Sequence, residues 1–203
     1  MNFVTFESRC IYPSKIVCVG RNYAEHVAEL NNAIPDEPVL FVKPNSAIAD
    51  ELFANDVSPI HYEGEIVCLI ERAKIVALAF GFDLTKRDLQ TGLKSKGLPW
   101  ERAKAFDRSA VFSGFVELTV PMASVRMELW LNDGLVQSDG YEAMLFKPEF
   151  LLEDISRFMT LADGDLLMTG TPKGVGPLIR DDRFVGKLFS DDKLLLDQQW
   201  IVK

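Results

Sequence analysis

Residues 61–70 read HYEGEIVCLI and place two glutamates at the start of an apolar run rich in β-branched residues. Such a run is typical of a buried strand. Successive strand side chains point to opposite faces, so Glu63 and Glu65 share one face and Gly64 lies on the other. Adjacent carboxylates repel each other unless a cation binds both, and hard divalent ions prefer carboxylate oxygens. Because an isolated pair of this kind is more often a solvated strand end, a cation site needs a third ligand.

The composition limits the class of protein. The chain has 203 residues, of which 48% are hydrophobic, enough for one domain with a sizeable core. Its formal net charge is −8 and it has no block of lysine or arginine, which argues against a nucleic-acid partner. We therefore expect a single domain over residues 1–203.

The cysteines and the N-terminus predict a cytoplasmic protein. Cys10, Cys18 and Cys68 are odd in number and form no C-x-x-C pair. Two of them lie in apolar, strand-like runs, which favours buried, reduced thiols. The N-terminal segment has no basic flank followed by an apolar stretch, and no apolar run approaches the length of a membrane span. We expect no membrane association.

Hydrophobic patterning predicts many short strands. SKIVCVG and EPVLFVKP are predicted strands, and the strand IVALAFGFD ends at Asp83. Residues 126–140 alternate and predict a hairpin that turns either at Asp133-Gly134 or through a longer loop over residues 132–134. The segments after residue 164 also resemble strands and loops. Many strands with few helices predict a β-rich α+β domain.

Three helices are predicted. The first covers residues 21–33 with Asn22 as its N-cap, and the second follows Asp83 with Thr85 as its N-cap. The third carries an apolar stripe within residues 148–165 and stops near Asp163-Gly164.

The sequence lacks the signatures of several enzyme classes. The loop GTPKGVG has the glycines of a phosphate loop, but no G-K-[ST] follows its lysine. No G-x-G-x-x-G follows a strand, no G-x-S-x-G occurs, and neither histidine has the spacing of a zinc site. Hydride transfer on a dinucleotide and serine hydrolysis are therefore excluded.

Three further polar residues are candidates for chemistry. His26 and Glu29 are three residues apart on the first predicted helix, so the carboxylate can orient the imidazole for proton transfer. Lys104 lies in ERAKAFD. Taken alone, His26 and Glu29 are more simply interpreted as a polar pair on a helix surface. Lys104 alone is more simply interpreted as a solvated lysine.

Six segments together resemble the fumarylacetoacetate hydrolase superfamily. They are VCVGRNYAEH, EPVLFVKP, HYEGEI, FDLTKRDLQ, GLPWERAKAFD and MTGTPKGVGPL, in the order seen in its small single-domain branch of acylpyruvate hydrolases and oxaloacetate decarboxylases. The resemblance runs from about Ile16 to the C-terminus. It implies a β-rich α+β fold of layered mixed sheets with a roll-like core and few short helices, assembled as a homodimer. It also implies Mg²⁺ or Mn²⁺ bound by Glu63, Glu65 and Asp83.

Matching positions imply further roles. His26 and Glu29 resemble a dyad on a mobile helix that closes over the substrate and activates water, and Lys104 resembles a lysine that stabilises developing negative charge. The positions that resemble substrate-binding or bracing residues are Arg21, Gln90, Thr171 and Arg87.

The resemblance implies a metal-dependent C–C hydrolase or lyase of 2-oxo acids that passes through a pyruvate enolate stabilised by the metal and Lys104. In acylpyruvate hydrolysis, activated water attacks the distal carbonyl, whereas oxaloacetate decarboxylation loses CO₂ without such an attack. The alternatives are an isomerase or decarboxylase of the unsaturated 2-oxo diacids of aromatic catabolism, and a non-catalytic paralogue.

Two features depart from the family pattern. The segment between Glu65 and Asp83 is shorter than usual, so either a hairpin is trimmed or residues are missing from the sequence. Lys86 occupies a position where a small or apolar residue is common.

Overall fold

Short strands form most of the regular structure in the computed structural model, which describes residues 1–30, 32–55 and 57–203. The strands are β1 Val4–Phe6, β2 Arg9–Ile11, β3 Lys15–Gly20, β4 Val39–Pro44, β5 Ile48–Ala49, β6 His61–Tyr62, β7 Gly64–Glu71, β8 Lys74–Asp83, β9 Ala110–Phe112, β10 Val116–Glu117, β11 Val125–Leu131, β12 Gly134–Gly140, β13 Leu166–Met168, β14 Gly176–Pro177, β15 Arg183–Ser190 and β16 Lys193–Ile201. The helices are α1 Ala24–Glu29, α2 Arg87–Ser95, α3 Glu101–Lys104 and α4 Pro148–Ser156.

Two sheets make up the body of the fold. The larger has the order β4-β3-β13-β7-β8-β9-β5, with β10 also paired to β8. It is mixed, because β3 pairs with β13 and β5 pairs with β9 in parallel while its other pairs are antiparallel. The smaller sheet is antiparallel, in the order β12-β11-β15-β16. The predicted β-rich fold of layered mixed sheets with few short helices is confirmed.

Aromatic side chains fill the space between the two sheets. Phe82 of β8 lies with its ring centroid 5.7 Å from Phe184 of β15 and 5.1 Å from Trp200 of β16. Ile66 of β7 belongs to the same buried cluster, whereas Val67 belongs to a second cluster on the opposite face of the larger sheet. The face alternation predicted for this strand is therefore confirmed.

Two-residue turns join the long antiparallel strands. Arg72 and Ala73 connect β7 to β8 with positive φ angles of 51° and 56°. The short segment between the two strands is thus a tight hairpin with no extra loop. The β11–β12 turn lies at Asn132 and Asp133, with φ angles of 47° and 71°. The predicted Asp133-Gly134 turn was wrong by one residue, because Asn and Asp tolerate left-handed backbone and fill both central positions.

The predicted helix caps were wrong because tertiary contacts recruit both side chains. The amide of Asn22 donates to the carbonyl oxygens of Phe146 and Thr169, and α1 begins after Tyr23. The hydroxyl of Thr85 accepts from the ammonium of Lys104 and donates to the carbonyl oxygen of Asp83, and α2 begins after Lys86.

Two helices are also shorter than predicted. Helix α1 ends at Glu29, and the predicted continuation through Asn31 lies outside the described residues. Helix α4 ends at Ser156 rather than near Asp163-Gly164, where buried Asp165 holds a turn by accepting the N–H of Ala162. In the part of the chain that the structure describes, no helix has the length and apolarity needed to cross a membrane.

Candidate metal centre and active site

Three buried carboxylates meet where β7 begins and β8 ends. The two strands are antiparallel neighbours, and the N–H of Asp83 donates to the carbonyl oxygen of Glu63 at 2.9 Å. Glu63, Glu65 and Asp83 each offer a carboxylate oxygen, and these atoms lie within 4.8 Å of one another. All three residues are at most 5% exposed. The strand pairing therefore supplies the third carboxylate that the pair at positions 63 and 65 required.

Two lysines lie against these carboxylates. The ammonium of Lys104 donates to Glu63 Oε2 at 2.9 Å, to Asp83 Oδ2 at 2.7 Å and to Thr85 Oγ1 at 2.6 Å. Lys43 Nζ lies 2.8 Å from the other Asp83 oxygen, Oδ1. The two oxygens of Asp83 therefore face two different ammonium groups.

The three carboxylates differ in how well their charge is compensated. Burial raises the pKa of Glu63, but Lys104 and Arg87 outweigh it and hold the pKa well below its usual range. Burial raises the pKa of Glu65, and the neighbouring Asp83 and Glu63 carboxylates raise it further. The N–H of Gly170 donates to Glu65 Oε2 at 2.8 Å, but no described basic residue forms an ion pair with Glu65.

This donor set fits a hard divalent cation such as Mg²⁺ or Mn²⁺. The neighbouring carboxylates raise the pKa of Glu65, so its ionised form lacks a compensating charge. Within the described residues, Asp83 Oδ1 faces Lys43 but accepts no hydrogen bond. Three clustered carboxylate oxygens are typical ligands of such ions, whereas zinc sites prefer His and Cys.

His26 and Glu29 lie together as predicted. His26 Nδ1 is 2.9 Å from Glu29 Oε2, and Glu29 Oε1 accepts the N–H of Gly174 at 2.9 Å. A carboxylate that accepts at Nδ1 fixes the proton there and leaves Nε2 with a free lone pair. His26 is 6% exposed and lines the same cavity as Glu63 and Lys104.

The positions predicted to bind substrate border this cavity. Arg21 follows β3 with a left-handed φ of 60°, and Gln90 accepts from Arg87 Nη1 at 3.0 Å. Thr171 Oγ1 donates to the carbonyl oxygen of Gly64 at 2.8 Å. Arg87 donates to Glu63 Oε1, so it braces a candidate ligand.

Sequence reasoning missed Lys43 and Gln137. Lys43 carried one signal, since it is a lysine inside an otherwise apolar strand. The sequence around Gln137 gives no such signal, because the residue lies in an ordinary hairpin. Its Oε1 accepts the N–H of Gly64 at 2.9 Å, and its Nε2 donates to Thr171 Oγ1 at 2.8 Å. Gln137 therefore ties the strand of the two glutamates to the loop that carries Thr171.

Gly64 has no room for a side chain. A Cβ there would lie 2.9 Å from Gln137 Oε1 and 2.9 Å from Phe80 Cζ, both on the side facing the smaller sheet. The glycine allows the two sheets to approach directly behind the carboxylates.

Comparisons with known proteins agree with this fold and site. Residues 15–197 match the family described as fumarylacetoacetate (FAA) hydrolase C-terminal. The oxaloacetate tautomerase YcgM of Escherichia coli (strain K12) is 40% identical, covering 84% of this chain and 87% of its own.

Solved structures extend the likeness to the whole chain. A protein from Oleispira antarctica is 36% identical with a TM-score of 0.93, and both chains are covered in full. The fumarylpyruvate hydrolase from Pseudomonas aeruginosa, solved with Mn²⁺ and pyruvate, is 28% identical with a TM-score of 0.88, covering 100% of this chain and 96% of its own. The chain belongs to the fumarylacetoacetate hydrolase family, as its sequence motifs predicted.

Proposed function

We propose that this protein is a divalent-cation-dependent enzyme that converts 2-oxo acids through their enol or enolate form. The observation that carries this proposal is the cluster of three buried carboxylates, of which Glu63 lines a cavity that also holds His26 and Lys104. Glu63, Glu65 and Asp83 would bind Mg²⁺ or Mn²⁺. A bound cation would supply Lewis-acid stabilisation of the negative charge that develops on a 2-oxo acid.

The cavity carries the positive charge that an anionic substrate needs. Arg21, Arg87, Lys94 and Lys104 all line it. Burial lowers the pKa of Lys94, and the charge of Arg21 lowers it further, so these cations are close enough to repel one another. An anion with more than one carboxylate would relieve that repulsion. We infer that the substrate is a small 2-oxo acid and assign Arg21, Gln90 and Thr171 to its binding.

His26 is the proposed general base. Its Nδ1 contact with Glu29 orients the ring and stabilises the imidazolium that forms when Nε2 accepts a proton. Lys104 is the proposed electrostatic partner of the enolate oxygen, because its ammonium is buried and fixed by two carboxylates and a hydroxyl.

Keto–enol tautomerisation of oxaloacetate is the leading reaction. It is supported by the 40% identity to an oxaloacetate tautomerase, whose name adds this reaction to those predicted from the sequence. A proton leaves C3 to His26, the C–H electron pair forms the C2–C3 double bond, and a proton is delivered to the 2-oxo oxygen. The same base can return the proton, so no further reactant is needed.

Cleavage of a C–C bond is the second candidate, supported by the likeness to a fumarylpyruvate hydrolase. In acylpyruvate hydrolysis, His26 would remove a proton from water, which attacks the distal carbonyl. The broken bond leaves its electron pair on the pyruvate fragment as an enolate, which is then protonated. Oxaloacetate decarboxylation would give the same enolate with loss of CO₂.

Rate measurements on oxaloacetate and on an acylpyruvate test the proposal. Enol formation, pyruvate release and CO₂ release should be followed with Mg²⁺, with Mn²⁺ and with a chelator. Turnover that requires the cation and falls in both His26→Ala and Lys104→Ala would support the assignment. A protein that binds the cation yet converts none of these substrates would be a non-catalytic paralogue, or an isomerase of unsaturated 2-oxo diacids if it converts those.

We further propose that residues 1–203 form one catalytic domain that assembles as a homodimer in the cytoplasm. The family match over residues 15–197 supports the single domain. Sedimentation velocity at micromolar concentration tests the dimer, and a monomer would contradict it.

A further inference from the structure

Lys43 is a buried charged residue to which the proposed reaction assigns no role. It lies in β4 and is 0% exposed. An ammonium removed from water is costly unless ion pairs and hydrogen bonds compensate it. Lys43 Nζ pairs with Asp83 Oδ1 at 2.8 Å, donates to the carbonyl oxygen of Leu84 at 3.3 Å and donates to the carbonyl oxygen of Lys104.

These contacts join two functional residues from different elements. Asp83 ends β8 and Lys104 ends α3. Lys43 binds the side chain of Asp83 and the main chain of Lys104, whereas the Lys104 ammonium binds the other Asp83 oxygen, Oδ2, at 2.7 Å. The Asp83 carboxylate is therefore held from both sides, and Lys104 bridges its Oδ2 to Glu63 Oε2.

We propose that Lys43 is a positioning residue that orients Asp83 for cation binding and holds Lys104 at the correct depth, an inference that rests on the proposed cation site. The ion pair between Lys43 Nζ and Asp83 Oδ1, at 2.8 Å, would fix the rotation of the carboxylate relative to the cation. The residue acts through Asp83 and Lys104 and does not touch the substrate.

A purely electrostatic role predicts the opposite result. If Lys43 only neutralised Asp83, its positive charge would compete with the cation, and its removal would tighten cation binding. If Lys43 positions Asp83, its removal would free the carboxylate to rotate and would weaken cation binding. The sign of the change separates the two roles.

Calorimetric titration of Mn²⁺ and Mg²⁺ into the metal-free, full-length protein provides the test. Lys43→Met should weaken cation binding by about 10–100-fold, the usual effect of losing a partner that orients a ligand. Lys43→Arg keeps the charge but moves the contact, so it should also weaken binding, whereas a charge-only role predicts no change. If Lys43→Met does not fold, Lys43→Arg alone decides.

Lys15→Met is the matched control. Lys15 also pairs with a buried aspartate, Asp165, at 2.5 Å. Its cross-strand partner is Pro44, so its side chain lies on the opposite face of the sheet from that of Lys43. Loss of Lys15 should leave cation affinity unchanged, so that general destabilisation is separated from positioning. Equal or tighter binding by the Lys43 variants would overturn this inference alone, whereas absence of binding by the unaltered protein would overturn the proposed cation site as well.

Discussion

Asp165, which immediately precedes β13, and Glu65 in β7 are both buried carboxylates, but their surroundings differ. Asp165 is 0% exposed and accepts hydrogen bonds from the main chain and side chain of Ser14, the main chain and side chain of Lys15, and the N–H of Ala162. Burial raises the pKa of Asp165, but the hydrogen bonds from Lys15 and Ser14 outweigh it, so the pKa lies below its ordinary value. Glu65 accepts from Gly170, and its pKa is raised.

The difference separates a carboxylate that stabilises the fold from one that we propose binds a cation. The protein supplies enough donors at Asp165 to make its ionised form the stable one. At Glu65 the protein supplies too few donors for the ionised form, so ionisation of this carboxyl costs folding free energy unless a cation binds. Neutralising Asp165 should therefore destabilise the fold, whereas neutralising Glu65 should stabilise the metal-free protein.

The largest effect should follow loss of a proposed ligand. Glu63→Ala and Glu65→Ala should abolish binding of Mg²⁺ and turnover, because two remaining carboxylates cannot enclose the ion. Titration calorimetry and steady-state rates measure both. Glu71→Ala is the control, since Glu71 lies at the far end of β7 and pairs with exposed Arg9 at 3.2 Å. Wild-type affinity in both site variants would show that the ligands are elsewhere.

Loss of the proposed base should be the next largest effect. His26→Ala should lower acylpyruvate hydrolysis and oxaloacetate tautomerisation by about 10²–10⁴-fold, the usual contribution of general acid–base catalysis. Oxaloacetate decarboxylation should fall much less, because it needs no activated water.

Glu25→Ala on the same helix is the matched control for His26→Ala. Glu25 is exposed and pairs with Lys173 at 2.9 Å. Its substitution should leave all three rates within a few-fold. Equal losses on all three reactions for His26→Ala would instead show that the residue only packs the helix.

Asp165→Asn should destabilise the fold by about 2–3 kcal/mol, because two of its donors would face an amide N–H₂ in place of an acceptor. Urea unfolding at neutral pH measures this loss. The control Glu153→Gln removes an exposed pair with Arg157 and should change stability by less than about 0.5 kcal/mol.

The contribution of Asp165 should also depend on pH. Because its folded-state pKa lies below the ordinary 3.8, the stabilisation is present above that value and is lost as the pH falls through the folded-state pKa. The difference between wild type and Asp165→Asn should therefore shrink in acid. A difference that persisted unchanged there would contradict the assignment.

The smallest effect should be a gain in stability, opposite in sign to the loss expected for Asp165→Asn. Glu65→Gln should stabilise the metal-free protein by about 1 kcal/mol, since it removes a buried like charge and can keep the bond from Gly170. Thermal unfolding in a chelator measures this gain. In excess Mg²⁺ the order should reverse, because the wild type then gains binding energy. A less stable metal-free Glu65→Gln would mean that the wild-type carboxylate is already satisfied.

Local patterns predicted the parts of the fold that depend on local physics. The alternation in residues 61–70 correctly placed Glu63 and Glu65 on one face, and the apolar run to Asp83 correctly ended there. The failures at Asn22 and Thr85 have one cause: each has the chemistry of an N-cap, but a tertiary partner far along the chain takes its side chain. Helix-capping preferences of single residues take no account of such tertiary partners.

The candidate site was predictable only where motifs contain its residues. Periodicity alone could not join Lys104 to β7 and β8, since 21 residues separate it from Asp83. Lys43 and Gln137 show the limit more clearly. Whether a lysine in a strand is buried beside a carboxylate, or a glutamine in a hairpin clamps a loop, depends on the packing of distant elements.

The glycine between the two glutamates has an evolutionary consequence. Gly64 is required by the close approach of Phe80 and Gln137, whereas Glu63 and Glu65 are required by the proposed cation. The two requirements are independent, so a descendant that lost its chemistry would be free to replace the glutamates but not the glycine. Within this fold, a glycine retained without its neighbouring acids would mark a former enzyme that kept its architecture.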